Sequence, residues 1–153
     1  MLDERQVRRL AEAMGLVICA FGAPPLLAPR LFARVFAIPA ATAGDVSVVR
    51  SVGVRDVVTG VGLWSAAAHG GTYAPWLLGR LLTDGGDVIA VGIAAAQGAR
   101  RPRFLALGGL ALAAVFADAV LYGAAKRRRD TTARCRVQRA ERTRARASTG
   151  SHA

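Results

Sequence analysis

The chain has 153 residues, 53% of them hydrophobic and 20% charged, which is more apolar and less charged than the roughly 45–50% and about 25% of soluble domains. That length fits a single domain, and the scarcity of long alternating apolar and polar runs favours helices over strands. The formal charge of +11 belongs mainly to residues 126–153, which hold ten Lys/Arg against two acids, so the first 125 residues do not present a basic globular surface.

The first apolar segment runs from Leu10 to Ala28, with Glu12 as its only charge. Arg5, Arg8 and Arg9 followed by Met14–Phe21 imitate a signal peptide, but Pro24, Pro25 and the lack of a clear small-residue cleavage site favour a retained segment. The two prolines are expected to kink or end this helix, because each lacks an amide donor and clashes with the preceding turn. Cys19 lies in this run and Cys135 in the tail. Two such cysteines make no disulfide framework.

Between Pro29 and Pro39, Arg30 and Arg34 share one helical face while Leu31, Phe32, Val35, Phe36 and Ile38 cover the rest. This predicts a short amphipathic helix lying in a membrane interface. A second apolar segment spans 46–68, preceded by Thr42 and Asp45 as capping residues. A third spans 75–97, opening on Pro75 and closing at Gly98. The fourth spans 104–125, follows Pro102 and stops at Lys126-Arg-Arg-Arg129.

Each segment has about the 20 residues that a bilayer crossing needs. The expected fold is all-α: a bundle of four transmembrane helices (10–28, 46–68, 75–97 and 104–125), a short interfacial helix and a disordered basic tail at 126–153. Basic flanks stay cytoplasmic, so the tail and Arg5, Arg8 and Arg9 place both termini in the cytoplasm, as an even number of spans requires. Arg100, Arg101 and Arg103 run against that bias. Trp64, Tyr73 and Trp76 cluster near one predicted boundary, where amphipathic rings settle.

The spans carry Arg50, Arg55 and Asp56 in the second, Arg80, Asp84 and Asp87 in the third, and Asp118 in the fourth. An ionisable residue at the bilayer centre costs roughly 2.5–3.5 kcal/mol on insertion scales, so these groups are expected to pair inside the bundle. Residues 55–56 and 84–87 sit near the middle of their segments, and Asp118 lies about 5 Å from the middle of its own at the helical rise. Arg80, Asp84 and Asp87 form one stripe at i, i+4 and i+7. Arg55 is the expected bidentate partner for one or two carboxylates. Small residues line the same helices: Gly53 and Gly60 around Asp56, Gly79 and Gly86, and Gly109, Ala113 and Ala117. They are expected at close helix contacts.

In its Arg50-Ser-Val-Gly53-Val-Arg55-Asp56-Val-Val-Thr-Gly60 and Arg80-Leu-Leu-Thr-Asp84-Gly-Gly-Asp87 stretches the chain resembles an uncharacterised bacterial family of small four-helix integral membrane proteins. A similar membrane module precedes cyclase/dehydrase-like domains in some bacterial proteins. The resemblance covers about residues 15–125 and implies the four-helix fold and membrane location; it brings no established activity. Residues 126–153, after the last span, are expected to be a basic tail and not such a soluble domain.

The leading functional expectation is a non-enzymatic membrane protein, located in the cell membrane, whose Arg/Asp cluster organises the bundle and binds a small polar or ionic ligand. Two alternatives belong to other classes. One is a membrane-embedded enzyme or enzyme subunit using Asp84 or Asp87 as an acid/base group. The other is a nucleic-acid binder acting through its tail, disfavoured because no reader motif accompanies the basic run. Lys126, Arg127, Arg128 and Arg129 are expected to meet anionic lipid headgroups, and a membrane-protein partner or a second copy stays open. The glycine pairs match no phosphate-binding fingerprint, so no cofactor and no metal is expected. His69, alone in a loop beside Gly70 and Gly71, reads as solvated.

Overall fold

The computed structural model describes residues 3–99 and 101–149, with the side chains of 128–137 and 139–149 excepted. Arg100, the side chains of Arg128 and Arg129, and that of Cys135 lie outside what it describes. Among the described residues there are five helices and no strand: α1 Glu4–Leu27, α2 Pro29–Val35, α3 Ala43–Ala68, α4 Ala74–Ala96 and α5 Pro102–Thr149.

Local chemistry sets the ends. Asp3 caps α1 by accepting from the Arg5 amide, while the Gln6 side chain accepts from the Asp3 amide, so the helix begins six residues before the apolar run. The prolines do not stop α1 where they stand. Only its last turn contains them, the Ala28 amide still donates to Pro24 O, and the helix ends at Leu27 before Pro29 opens α2. Thr42 and Asp45 form the corresponding reciprocal cap on α3. The amide and hydroxyl of Thr42 hold the Asp45 carboxyl below its ordinary value. Gly98 ends α4 at φ +102°, in the left-handed region that suits a residue without a side chain. Ala37, after α2, takes φ 55° and bears a Cβ.

Two differences from the sequence reading stand out. The amphipathic helix is two turns long, ending at Val35, and buries Pro29, Phe32 and Ala33 while exposing Arg30 and Arg34. Secondly, α5 continues past Lys126 to Thr149, where a stop and a disordered tail were expected. The stretch from Ala124 to Thr149 contains neither Gly nor Pro and is rich in Ala and Arg, both good helix formers.

The helices pack as two antiparallel pairs, α1 with α3 and α4 with α5, the second pair laid against the first. The α1–α3 seam is a backbone contact. A Cβ on Gly15 would lie 2.7 Å from Gly60 O, and one on Gly22 would lie 2.8 Å from the Asp56 Cβ. On the facing helix, a Cβ on Gly60 would stand 2.7 Å from Gly15 O and one on Gly53 2.8 Å from Gly22 O. The two pairs, Gly15 with Gly60 and Gly22 with Gly53, are seven residues apart on each helix, about two turns, so the same face of each helix meets the other at both points. Arg8 adds a hydrogen bond of 3.0 Å to Ala67 O near one end of this seam. The other small-residue expectation fails: a Cβ on Gly79, Gly86 or Gly109 would meet nothing within 4 Å, and Ala113 and Ala117 are exposed. The inward stripe of α4 is Leu77, Arg80 and Asp84, and that of α5 is Asp118, Leu121 and Ala125. Gly79 lies one residue, about 100°, from Arg80, and Gly86 two residues, about 200°, from Asp84, so both sit off the α4 stripe.

The distribution of side chains is inverted relative to a water-soluble bundle. Asp56, Arg80, Asp84 and Asp118 are buried, whereas Val17, Leu82, Ile89 and Phe116 are 64–73% exposed. By length and composition, α1 and the Pro102–Arg127 part of α5 are apolar enough to cross a membrane. In α3 and α4, which are also long enough, the interior charges lower the apolar character below that standard.

Candidate functional site

The charges form a layer between two apolar ones. On one side lie Val7, Ala11, Leu63, Ala67, Ala74, Leu77, Leu121 and Ala125, contributed by one end of the four long helices. On the other, Phe32, Ala33 and Val49 pack with Phe21, Phe36 and Leu107. Phe32 and Phe36 pack at a tilt of 47° with centroids 4.7 Å apart, and Phe21 meets Phe32 edge-on.

Two guanidinium groups organise the layer. Arg55 on α3 donates from Nη1 and Nη2 to the two oxygens of Asp87 on α4, at 3.1 and 2.8 Å. Its Nε and Nη2 also donate to Asp56 Oδ1, at 3.1 and 2.9 Å. The planar fork of arginine can serve two carboxylates at once, which a lysine ammonium cannot match geometrically. Arg80 on α4 lies deeper. Its Nη2 donates to Asp84 Oδ2 one turn along the same helix, its Nη1 approaches Asp56 Oδ1 at 3.9 Å, and its Nε lies 3.4 Å from Asp118 Oδ2 on α5. Arg80 thus draws together carboxylates from α3, α4 and α5.

Six of the seven residues singled out in the sequence meet in this layer: Arg55, Asp56, Arg80, Asp84, Asp87 and Asp118. Arg50 does not. It is exposed on α3, five residues and about 140° around the helix from Arg55. Without it, four carboxylates face two guanidinium groups, so the layer carries two excess negative charges when all are ionised. Satisfaction is also incomplete. Nε and Nη1 of Arg80 and both oxygens of Asp118 are buried without a hydrogen-bond partner among the described residues.

The layer floors a half-open cavity of about 420 Å³ between the helix pairs. Arg55, Asp56, Arg80, Asp84 and Asp87 form its polar end, and its walls are apolar, including Val17, Phe21, Val52, Val91, Leu107 and Ala111. The size falls within the about 300–1,000 Å³ of small-molecule pockets, and a few polar groups in an apolar lining are their usual chemistry. Sequence reasoning found the polar end but not the walls contributed by α1 and α2. The signal available was the Phe21, Phe32 and Phe36 series flanking Pro24 and Pro25.

The remaining candidates lie elsewhere. His69 caps the end of α3, exposed, with Nδ1 2.9 Å from Ser65 O and Trp64 edge-on to its ring. Trp76 lies over Gly62, where a Cβ would collide with its ring. Cys19 is a free thiol, 3.6 Å from Val57 O. Among the described residues, no group of three or more His, Cys, Asp or Glu is placed to hold a metal ion. No family model, curated protein or solved structure matches this chain.

Proposed function

We propose that this chain is a small polytopic membrane protein of four spans, α1, α3, α4 and the first part of α5, and that its Arg/Asp layer organises the bundle and binds a small polar or ionic ligand. The observation that carries this reading is the inverted side-chain distribution: buried Arg80, Asp84 and Asp118 inside, exposed Leu82, Ile89 and Phe116 outside. In water such an exterior would be a large aggregation-prone patch. In lipid it is the solvated face, and the interior charges are the ones that need partners. At 26 and 23 residues, α3 and α4 extend ~39 and ~35 Å at the helical rise, enough to cross a core about 30 Å thick. The resemblance of the two charged motifs to a four-helix bacterial membrane family belongs to the same proposal. So do the cytoplasmic placement of both termini and the contact of Lys126 and Arg127 with anionic headgroups. The cavity adjoining the layer supports the ligand-binding part.

The test is a C-terminal topology reporter combined with alkaline extraction of isolated membranes. Retention in the extracted membrane with a cytoplasmic reporter is the expected result, and release into the soluble fraction overturns the membrane reading. Within retained protein, Asp87→Asn separates the two roles of the layer. Normal accumulation with loss of a growth or transport phenotype supports ligand binding, and normal accumulation with no phenotype restricts the layer to holding the bundle together.

A further inference from the structure

The geometry points to an amphipathic monocation as the ligand of the cavity: a protonated amine seated on the carboxylates, with its apolar body along α1, α3 and α5. This inference rests on the ligand-binding reading above and specifies its chemistry.

Charge selects the head. Around the cavity itself Arg55 and Arg80 oppose Asp56, Asp84 and Asp87, one negative charge in excess when all are ionised, and Asp118 stands behind Arg80. An anionic head would add to that excess at a depth where charge is least tolerated, and a cation offsets it. The carboxylates also keep accepting capacity toward the cavity. The Oδ1 of Asp84 has Arg55 Nη2 only at 4.0 Å, beyond hydrogen-bond reach. The Asp87 side chain is 39% exposed at the rim, although Arg55 holds both its oxygens, and each carboxylate oxygen accepts more than one donor. An ammonium brings three donors and no acceptor.

A second, independent sign is the strain in satisfaction around Arg80. The Arg80 side chain is only 6% exposed, lines the cavity and leaves Nε and Nη1 without a hydrogen bond while its charge is shared among Asp56, Asp84 and Asp118. This guanidinium hydrogen-bonds Asp84 alone and holds Asp56 and Asp118 only as longer ion pairs. A second cation at the Asp84–Asp87 end relieves that competition and lets Arg80 settle on Asp118 and Asp56.

The walls select the body. Val17, Phe21, Val52, Val91, Leu107 and Ala111 offer no polar side chain, so an unbranched polyamine or a hydrated metal cation would leave donors unsatisfied against them.

The experiment uses the full-length protein in phosphatidylcholine nanodiscs and three probes with one fluorophore. These are monodansylcadaverine, its N-acetylated neutral form, and the dansyl aminohexanoate anion. The expected result is saturable binding of the amine, at least tenfold tighter than either analogue, weakened about tenfold by Asp87→Asn and abolished by Ala111→Phe, which fills a wall without touching a charge. Binding that saturates for the neutral or anionic probe as tightly as for the amine, and is lost in Ala111→Phe, overturns the cation assignment while leaving a ligand cavity. Absence of saturable binding for all three, or binding unaffected by Ala111→Phe, overturns both. The comparison among probes on the unsubstituted protein decides the charge preference even if Asp87→Asn fails to fold.

Discussion

The guanidinium of Arg55 on α3 holds both oxygens of Asp87 on α4, at 3.1 and 2.8 Å, and is the best-formed polar contact between the two helix pairs. Arg80, which reaches more carboxylates, makes none of its inter-helix contacts at a hydrogen-bonding geometry as good. The two arginines therefore differ in what their removal exposes.

Removing Arg80 strands Asp84 and Asp118 as buried carboxylates, while Asp56 keeps Arg55, and breaking a buried pair from one side costs about 3–5 kcal/mol. Arg55 is partly exposed, and Arg55→Met should cost about 1.5–3 kcal/mol, the range of hydrogen bonds to charged groups. Arg50→Ala should stay within about 0.5 kcal/mol, as surface changes do. Reversible unfolding in mixed micelles gives the order, and an Arg50 effect equal to that of Arg80 would sink the assignment of the layer.

The glycines divide into two sets with opposite expectations. Gly15→Ala or Gly60→Ala places a Cβ 2.7 Å from facing backbone, an overpacking that costs about 1–3 kcal/mol. Gly79→Ala and Gly86→Ala meet nothing and should be neutral or stabilising by up to about 1 kcal/mol through helix propensity. Melting temperatures of the four variants in one detergent check the split.

Asp45 makes the start of α3 sensitive to acid. Its carboxyl is held below the ordinary value by the amide and then the hydroxyl of Thr42. A depressed folded-state value gives stability that is fully present above the unfolded value near 3.8 and is lost as pH falls through the lower folded value. Between pH 5 and pH 3, helix content should fall less in Asp45→Ala than in the unsubstituted chain, whose cap is the part that titrates. Circular dichroism over that interval reads the difference.

Ala37 holds φ 55° without the freedom of glycine. Left-handed backbone costs roughly 1–2 kcal/mol for a residue with a Cβ, and glycine loses about 0.5–1 kcal/mol more chain entropy on folding. Ala37→Gly should therefore stabilise by about 0.5–1 kcal/mol, visible as a higher melting temperature.

Much of the charged layer was legible because depth along a helix can be counted. Arg55, Asp56, Asp84 and Asp87 all fall near the middle of apolar runs, and groups that cannot stay in an apolar medium alone are drawn together. Angle was equally countable and would have set Arg50 aside. The pairing of Arg80 with Asp118 was not legible, because it depends on which face α5 turns toward α4. Nor was the α1–α3 seam, although Gly15 and Gly22 repeat the seven-residue spacing of Gly53 and Gly60. A glycine pair signals a close approach without naming its partner. The helical continuation of α5 was hidden by reading charge as disorder, when the absence of Gly and Pro between Gly123 and Gly150 carried the better information.

The seam between α1 and α3 and the seam between the two pairs are held by different means. Backbone against backbone at Gly15, Gly22, Gly53 and Gly60 admits a single register, since a shift of one residue would drive a side chain into the facing chain. The ionic seam is more forgiving: Arg55 and Arg80 are each surrounded by more carboxylates than they can fully serve. The first pair is thus fixed by shape and the second is docked on it by charge, with the cavity along the line where the two meet.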